Sequence, residues 1–85
     1  MPIISRFLGI VAYMHWREHG PPHFHAKYQG REVAVEIETG EVTGQMTPKA
    51  LSLIEEWRQL HKDELLDDWR LAEQRRTLRQ IQPLE

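Results

Sequence analysis

Apolar positions in the first half of the chain occur in short stretches typical of strands. Residues 8–17 are almost continuously apolar and rich in branched and aromatic side chains, which favour a strand buried on at least one face. Gly20-Pro21-Pro22 ends this stretch, because the prolines remove two backbone donors and fix φ. Further strand patterns follow at 23–28, 31–38 and 41–46. The pattern therefore predicts an antiparallel sheet of three to four strands.

The two middle strands can be placed in register, because Gln29-Gly30 suits a two-residue turn in which Gly30 takes a positive φ. This turn pairs His23 with Glu36 and His25 with Ala34. Alternation of side chains then assigns each residue to a face. The predicted buried face consists of Phe24, Ala26, Val33, Val35 and Ile37. The predicted opposite face carries His23, His25, Lys27, Glu32, Glu36 and Glu38.

The second half of the chain has the three- and four-residue apolar spacing of helices. Thr47-Pro48 is typical of a helix start, with Thr47 as N-cap and Pro48 at the first helical position. The spacing slips near Lys62-Asp63 and then resumes. We therefore predict two helices, near 48–61 and 63–76, or one kinked helix. A non-helical tail that includes Ile81 is expected to dock back onto the fold.

These elements together predict an α+β fold, in which a small antiparallel sheet is packed on one face by two C-terminal helices. A chain of 85 residues suffices for one modest core, so we expect a single domain over residues 1–85. A second turn near Thr39-Gly40 predicts that Ile37 pairs with Val42 on the core face. The three tryptophans are expected in the core: Trp16, Trp57 and Trp69.

Composition narrows the available chemistry. Cysteine is absent, which excludes disulfides, thiolate metal sites and a cysteine nucleophile. The net charge is −2 with both signs interleaved, so a broad positive field for duplex nucleic acid is excluded and RNA would need a local basic patch. No stretch approaches the ~20 apolar residues of a membrane span, and the N-terminal segment lacks an export signal. We expect a cytoplasmic protein without membrane contact.

The segment His23-Phe24-His25 is the strongest candidate site. Two imidazoles two residues apart on a strand project from one face, while Phe24 anchors the other face. Paired imidazoles near cations suit metal-independent RNA cleavage, in which one takes the 2′-hydroxyl proton and the other protonates the leaving oxygen. The predicted catalytic residues are His23 and His25 for proton transfer, Arg17 or Lys27 for charge stabilisation, and Glu36 to orient His23. The predicted substrate-binding residues are Tyr13, Tyr28 and Arg31.

The segment Pro21-Pro22-His23-Phe24-His25-Ala26, together with Gly9-Ile10-Val11 and Tyr13-Met14, resembles the bacterial domain-of-unknown-function family 4160. In the helical half, Glu56-Trp57, Leu60-His61, Glu64-Leu65, Trp69 and Ile81-Gln82-Pro83-Leu84 are similar to the same family. This resemblance implies the toxin component of a type II toxin–antitoxin module. It also implies a partner, a cognate small antitoxin protein that neutralises the activity in a tight complex.

Other interpretations of the same residues stay open. His19, His23 and His25 would supply three nitrogen ligands, and Glu36 an oxygen ligand, to a divalent transition metal such as Zn²⁺, Ni²⁺ or Fe²⁺. Catalysis by the histidines alone needs no cofactor. The chain also suits a non-catalytic interaction or regulatory module, in which a free edge strand pairs with a partner or with a second copy as a homodimer. Histidines behind a proline pair can, finally, serve only to fix the turn.

Overall fold

The computed structural model describes residues 2–85, so Met1 of the predicted domain lies outside the described residues. Within these residues, five antiparallel strands form one sheet in which each strand pairs with the next along the chain, and two helices follow. The predicted α+β fold is confirmed, with five strands instead of three to four. In chain order the elements are β1 (Ile3–Phe7), β2 (Ile10–Tyr13), β3 (His23–Tyr28), β4 (Arg31–Glu36), β5 (Val42–Gly44), α1 (Pro48–Leu60) and α2 (Lys62–Glu73).

The additional strand, β1, precedes the segment that the sequence indicated as the first strand. Residues 8–17 do not form one strand, because Leu8 and Gly9 make the turn between β1 and β2, at φ values of 51° and 84°. Leu8 is 57% exposed, and β2 ends at Tyr13. The prediction was wrong here because an apolar side chain occupies a turn position that asparagine or glycine usually takes.

The predicted register of β3 and β4 is confirmed in every pair, from Tyr28 opposite Arg31 to His23 opposite Glu36. Gln29 makes the turn with a φ of 49°, together with the following glycine at 78°. The predicted buried residues are at most 1% exposed: Phe24, Ala26, Val33, Val35 and Ile37. A two-residue turn and strict alternation therefore suffice to place the imidazoles on the face opposite Phe24.

The predicted pairing of Ile37 with Val42 is wrong, because Val42 lies opposite Val35. Both backbone groups of Ile37 have other partners. Its N–H donates to the Pro22 carbonyl at 2.9 Å, and its carbonyl accepts from Arg58 Nη1 at 2.7 Å. The connection from β4 to β5 is consequently a wider loop than the predicted turn at Thr39-Gly40.

The helix pair begins where the sequence predicted. The Thr47 hydroxyl accepts a hydrogen bond from the Ala50 N–H at 3.3 Å, which confirms Thr47 as the N-cap of α1. His61 separates α1 from α2. Within residues 2–85, no helix has the length and apolar content that crossing a bilayer requires.

Trp57 joins the helices, the sheet and the C-terminal tail. Its ring lies 5.1 Å from the ring of Phe7 and 5.4 Å from that of Phe24, measured between centroids. Its indole N–H donates to the Gln82 carbonyl at 3.0 Å. The Ile81 N–H donates to the carbonyl of Ile4 in β1 at 2.8 Å, so the tail docks back as predicted.

Trp16 departs from the expectation for the tryptophans. Trp57 and Trp69 are buried, whereas Trp16 is 47% exposed. Its indole N–H donates to the Arg76 carbonyl at 3.1 Å. Because Trp16 follows the end of β2, the alternation that buries strand residues does not apply to it.

Candidate functional site

The loop between β2 and β3 brings the Glu18 carboxylate onto the two imidazoles of β3. Glu18 Oε1 lies 2.7 Å from His25 Nε2, and Oε2 lies 3.1 Å from His23 Nε2. The imidazole centroids are 5.2 Å apart. The loop turns at Arg17, which has a φ of 63°, and re-enters the sheet through the proline pair. The three side chains thus form one hydrogen-bonded cluster, which we call the Glu18 cluster.

The side chains of this cluster are partly buried. Those of His23 and His25 are 16% and 13% exposed, and that of Glu18 is 30% exposed. Burial opposes ionisation of Glu18, but hydrogen bonds from His25 and His23 outweigh it and hold the pKa of Glu18 below its usual value. The site therefore favours a carboxylate anion between two imidazoles.

Glu36 stands opposite His23 in the ladder, as expected, but its carboxylate accepts a hydrogen bond from the Thr39 hydroxyl at 2.7 Å. The carboxylate that contacts His23 is Glu18. Sequence reasoning missed Glu18 because it lies in an irregular loop, where alternation does not indicate direction. The only available signal was its proximity along the chain to the histidine pair.

Both ring nitrogens of His23 face hydrogen-bond acceptors. Nδ1 lies 2.9 Å from the Pro21 carbonyl, and Nε2 faces Glu18. A ring that carries a proton on each nitrogen donates to both acceptors. The Trp69 ring packs against His23 with ring centroids 5.1 Å apart, which further restricts rotation of the imidazole.

Tyr13 forms a platform for two imidazoles. Its ring stacks on His25 at 5.1 Å and contacts the edge of His15 at 5.4 Å. The phenol is 1% exposed and donates a hydrogen bond to Glu32. Burial, followed by the hydrogen bond to Glu32 and its charge, raises the pKa of Tyr13. Tyr13, which the sequence suggested for substrate binding, here supports His25 from within the fold.

A third histidine, His15, joins the cluster from the start of the loop that follows β2. Its ring centroid lies 4.9 Å from that of His25. Within residues 2–85, His15, Glu18 and His25 form the one group of potential metal ligands whose donor atoms all lie within 4.8 Å of one another. The sequence suggested His19 and His23 as the companions of His25. His19 is instead exposed and lines a surface pocket of about 230 Å³ that also contacts His23 and Glu36.

A family model described as a domain of unknown function, DUF4160, matches residues 9–70. The chain belongs to the DUF4160 family. The matched range contains the entire Glu18 cluster, all of α1 and most of α2. Neither the curated proteins nor the solved structures contain a significant match to the chain.

Basic residues of this DUF4160 domain lie on two sides of the cluster. Lys27 Nζ lies 5.3 Å from the centroid of the Tyr13 ring and 3.7 Å from Glu32 Oε1. Lys27, Tyr28 and Arg31 together line a pocket of about 510 Å³ at the end of the β3–β4 hairpin. The structure thus brings together three of the residues that the sequence suggested for charge stabilisation and substrate binding.

Arg17 lies on the other side of the cluster. It is exposed and shares a surface pocket with Glu18, His19 and Glu73. The cluster is therefore flanked by cations on both sides, with carboxylates interspersed among them.

Proposed function

We propose that this DUF4160 domain is the toxin of a two-gene toxin–antitoxin module and cleaves RNA without a metal ion. One observation supports the catalytic part of this proposal: the Glu18 carboxylate accepts hydrogen bonds from both His23 and His25. The resemblance of the segment from Pro21 to Ala26 to a family of toxin-like proteins supports the biological part.

His25 is suited to act as the general base. When its Nε2–H donates to Glu18 at 2.7 Å, Nδ1 carries the lone pair that accepts a proton. A carboxylate in this position also stabilises the imidazolium that forms after proton transfer. Stacking on Tyr13 holds the plane of the imidazole. Glu18 is accordingly a positioning residue for His25.

His23 is suited to act as the general acid. The Pro21 carbonyl lies 2.9 Å from its Nδ1 and the Glu18 carboxylate lies 3.1 Å from its Nε2, so both ring nitrogens face hydrogen-bond acceptors. Proton donation in the transition state contributes roughly 10²- to 10⁴-fold to a rate when the donor is well placed. The two imidazoles share Glu18 but differ in their other contacts, with the Pro21 carbonyl for His23 and the Tyr13 ring for His25, so we assign them different roles.

The proposed step is an internal transesterification of RNA. The ribose 2′-oxygen attacks the adjacent phosphorus, and its proton moves to His25. The bond from phosphorus to the 5′-oxygen of the next nucleotide breaks, and His23 protonates that oxygen. The products are a 2′,3′-cyclic phosphate and a 5′-hydroxyl, so the step consumes no water and leaves the total charge unchanged.

We assign stabilisation of the phosphorane to Lys27 and Arg17. Lys27 contacts the Tyr13 ring, and the same ring stacks on His25, so Tyr13 connects Lys27 to the proposed base. We assign the binding of an adjoining nucleotide, through stacking and charge, to the pocket that Lys27, Tyr28 and Arg31 line. In this proposal Lys27 and Arg31 serve as the local basic patch that a chain of net charge −2 needs for RNA.

RNA cleavage by the purified protein tests the proposal. We expect an all-RNA oligonucleotide to be cut in the presence of EDTA, and a fully 2′-deoxy analogue to stay intact. His23→Ala and His25→Ala should each lower the rate by at least ~10²-fold. His61→Gln is the matched control, because His61 lies between the helices and bonds Glu64. Intact RNA with the wild type, or equal rates in all variants, would refute the catalytic proposal.

A neutralising partner is part of the same proposal. Expression of the domain alone should arrest growth, and co-expression with the small protein encoded beside it should restore growth. The double variant His23→Ala, His25→Ala should not arrest growth, provided that its circular dichroism spectrum matches that of the wild type. Full toxicity of the folded double variant would end the proposal.

A further inference from the structure

We infer that His15, Glu18 and His25 form a binding site for a divalent transition-metal ion. Two imidazole nitrogens and one carboxylate oxygen converge here, from the loop after β2 that carries His15 and Glu18 and from β3. This inference goes beyond the proposed function, and it does not depend on RNA cleavage.

The donor atoms have nearly the spacing of ligands on one ion. Bonds of about 2.0–2.2 Å to Zn²⁺ place two ligand atoms roughly 3 Å apart in tetrahedral or octahedral geometry. Glu18 Oε1 and His25 Nε2 already lie 2.7 Å apart. One donor atom each of His15, Glu18 and His25 lie within 4.8 Å of one another, so binding of a common ion needs shifts of up to roughly 1–2 Å.

The surroundings hold these ligands in place. The second oxygen of Glu18 accepts from His23 at 3.1 Å, which is the kind of outer hydrogen bond that orients a metal-binding carboxylate. The buried ring of Tyr13 contacts the imidazoles of both His15 and His25. His15, which the sequence did not single out as a ligand, is therefore held beside His25 by a shared aromatic platform.

The chemistry of the donor set indicates which ion fits. Two neutral imidazoles and one carboxylate suit Zn²⁺, Fe²⁺, Co²⁺ or Ni²⁺, and they leave coordination positions open for water or a ligand. An ion at this position would occupy the nitrogen of His25 that now bonds Glu18. It should therefore inhibit an acid–base reaction that uses the same carboxylate and imidazole.

Calorimetric titration of EDTA-treated, untagged protein with Zn²⁺ tests the site. We expect one ion per chain and at least a tenfold weaker affinity in each of His15→Ala, Glu18→Gln and His25→Ala. His23→Ala should weaken binding about tenfold through the outer hydrogen bond. His19→Ala and His61→Gln should bind Zn²⁺ like the wild type, and circular dichroism verifies that every variant is folded.

Titration with Co²⁺ provides a second measurement that does not depend on the variants. The visible absorption of bound Co²⁺ should show nitrogen and oxygen ligation and disappear on addition of Zn²⁺. Absence of binding at 1 mM Zn²⁺, or full affinity in folded His15→Ala, would overturn the inference. The inference would also be overturned if only His19→Ala and His23→Ala lost affinity for Zn²⁺. That result would favour the ligands that the sequence suggested, His19, His23 and His25. If Zn²⁺ binds as expected but RNA stays intact, only the proposed function fails.

Discussion

Glu18 Oε1 lies 2.7 Å from His25 Nε2, so a loop carboxylate and a strand imidazole seven residues apart form one hydrogen-bonded unit. The other carboxylate oxygen reaches His23. The bonds that arrange the candidate site are therefore the same bonds that attach the loop to the sheet. Both the geometry of the site and part of the stability of the fold consequently depend on the ionised state of Glu18.

The stabilisation from Glu18 should be lost in acid. Its pKa in the folded protein lies below its ordinary value, so its contribution is present above the pKa of the unfolded chain and disappears as pH falls through the folded pKa. Glu18→Gln should lower the free energy of unfolding by about 1 kcal/mol at pH 7, and by less at pH 3. Urea unfolding at both pH values measures this difference. If Glu18→Gln lowered the free energy of unfolding equally at pH 7 and pH 3, the prediction would be contradicted.

Asp68 should show the opposite dependence on pH. The residue is 1% exposed, and its Oδ1 accepts the Arg79 N–H at 2.9 Å. Its Oδ2 has no hydrogen-bond partner among the described residues. Burial raises the pKa of Asp68 to about 6, against the opposing effect of the Arg79 N–H. A carboxyl group with a raised folded pKa destabilises the fold as pH rises from its unfolded pKa, near 4, to about 6.

We therefore expect Asp68→Asn to gain stability relative to the wild type as pH rises. The difference in unfolding free energy between variant and wild type should shift by about 2 kcal/mol between pH 4 and pH 7. Asp67→Asn is the matched control, because its side chain is 60% exposed. A difference for Asp68→Asn that stays constant with pH would show that burial does not perturb this carboxyl group.

Arg58 should contribute far more to stability than Arg70. The Arg58 side chain is 8% exposed, bonds Glu55, and donates to the Ile37 carbonyl. Arg58→Met should cost about 2–3 kcal/mol, because it leaves that carbonyl without its partner. Arg70→Met should cost less than about 0.5 kcal/mol, because the bridge between Arg70 and Asp67 is exposed. Similar urea midpoints for the two variants would disprove this contrast.

Leu8 is a position where a substitution should stabilise the protein. Its φ of 51° lies in the left-handed region, which costs roughly 1–2 kcal/mol for most residues, and its side chain is mostly exposed. Leu8→Asn should raise stability by about 0.5–1 kcal/mol, which corresponds to a few degrees in Tm. Leu8→Ala keeps the strain and should change Tm little. A lower Tm for Leu8→Asn would show that the apolar side chain is needed.

Prediction from sequence succeeded where one local rule applies over a whole element. The β3–β4 register follows from the turn at Gln29 and from strict alternation, and every pair is confirmed. The N-cap at Thr47 was also predicted from neighbouring residues alone, and its hydrogen bond to Ala50 confirms it. The same rules failed at Leu8, because a turn position was filled by an apolar residue, and at Ile37, because Arg58 from a helix takes its carbonyl.

The sequence by itself determined that His23 and His25 share one face of a strand whose other face is buried, since alternation along an extended backbone permits nothing else. Only the tertiary structure decided that Glu18 bonds both imidazoles and that His15 joins them. Those positions depend on how an irregular loop closes against Tyr13 and, through Trp16, against Arg76. Loop closure depends on contacts between distant segments rather than on local periodicity.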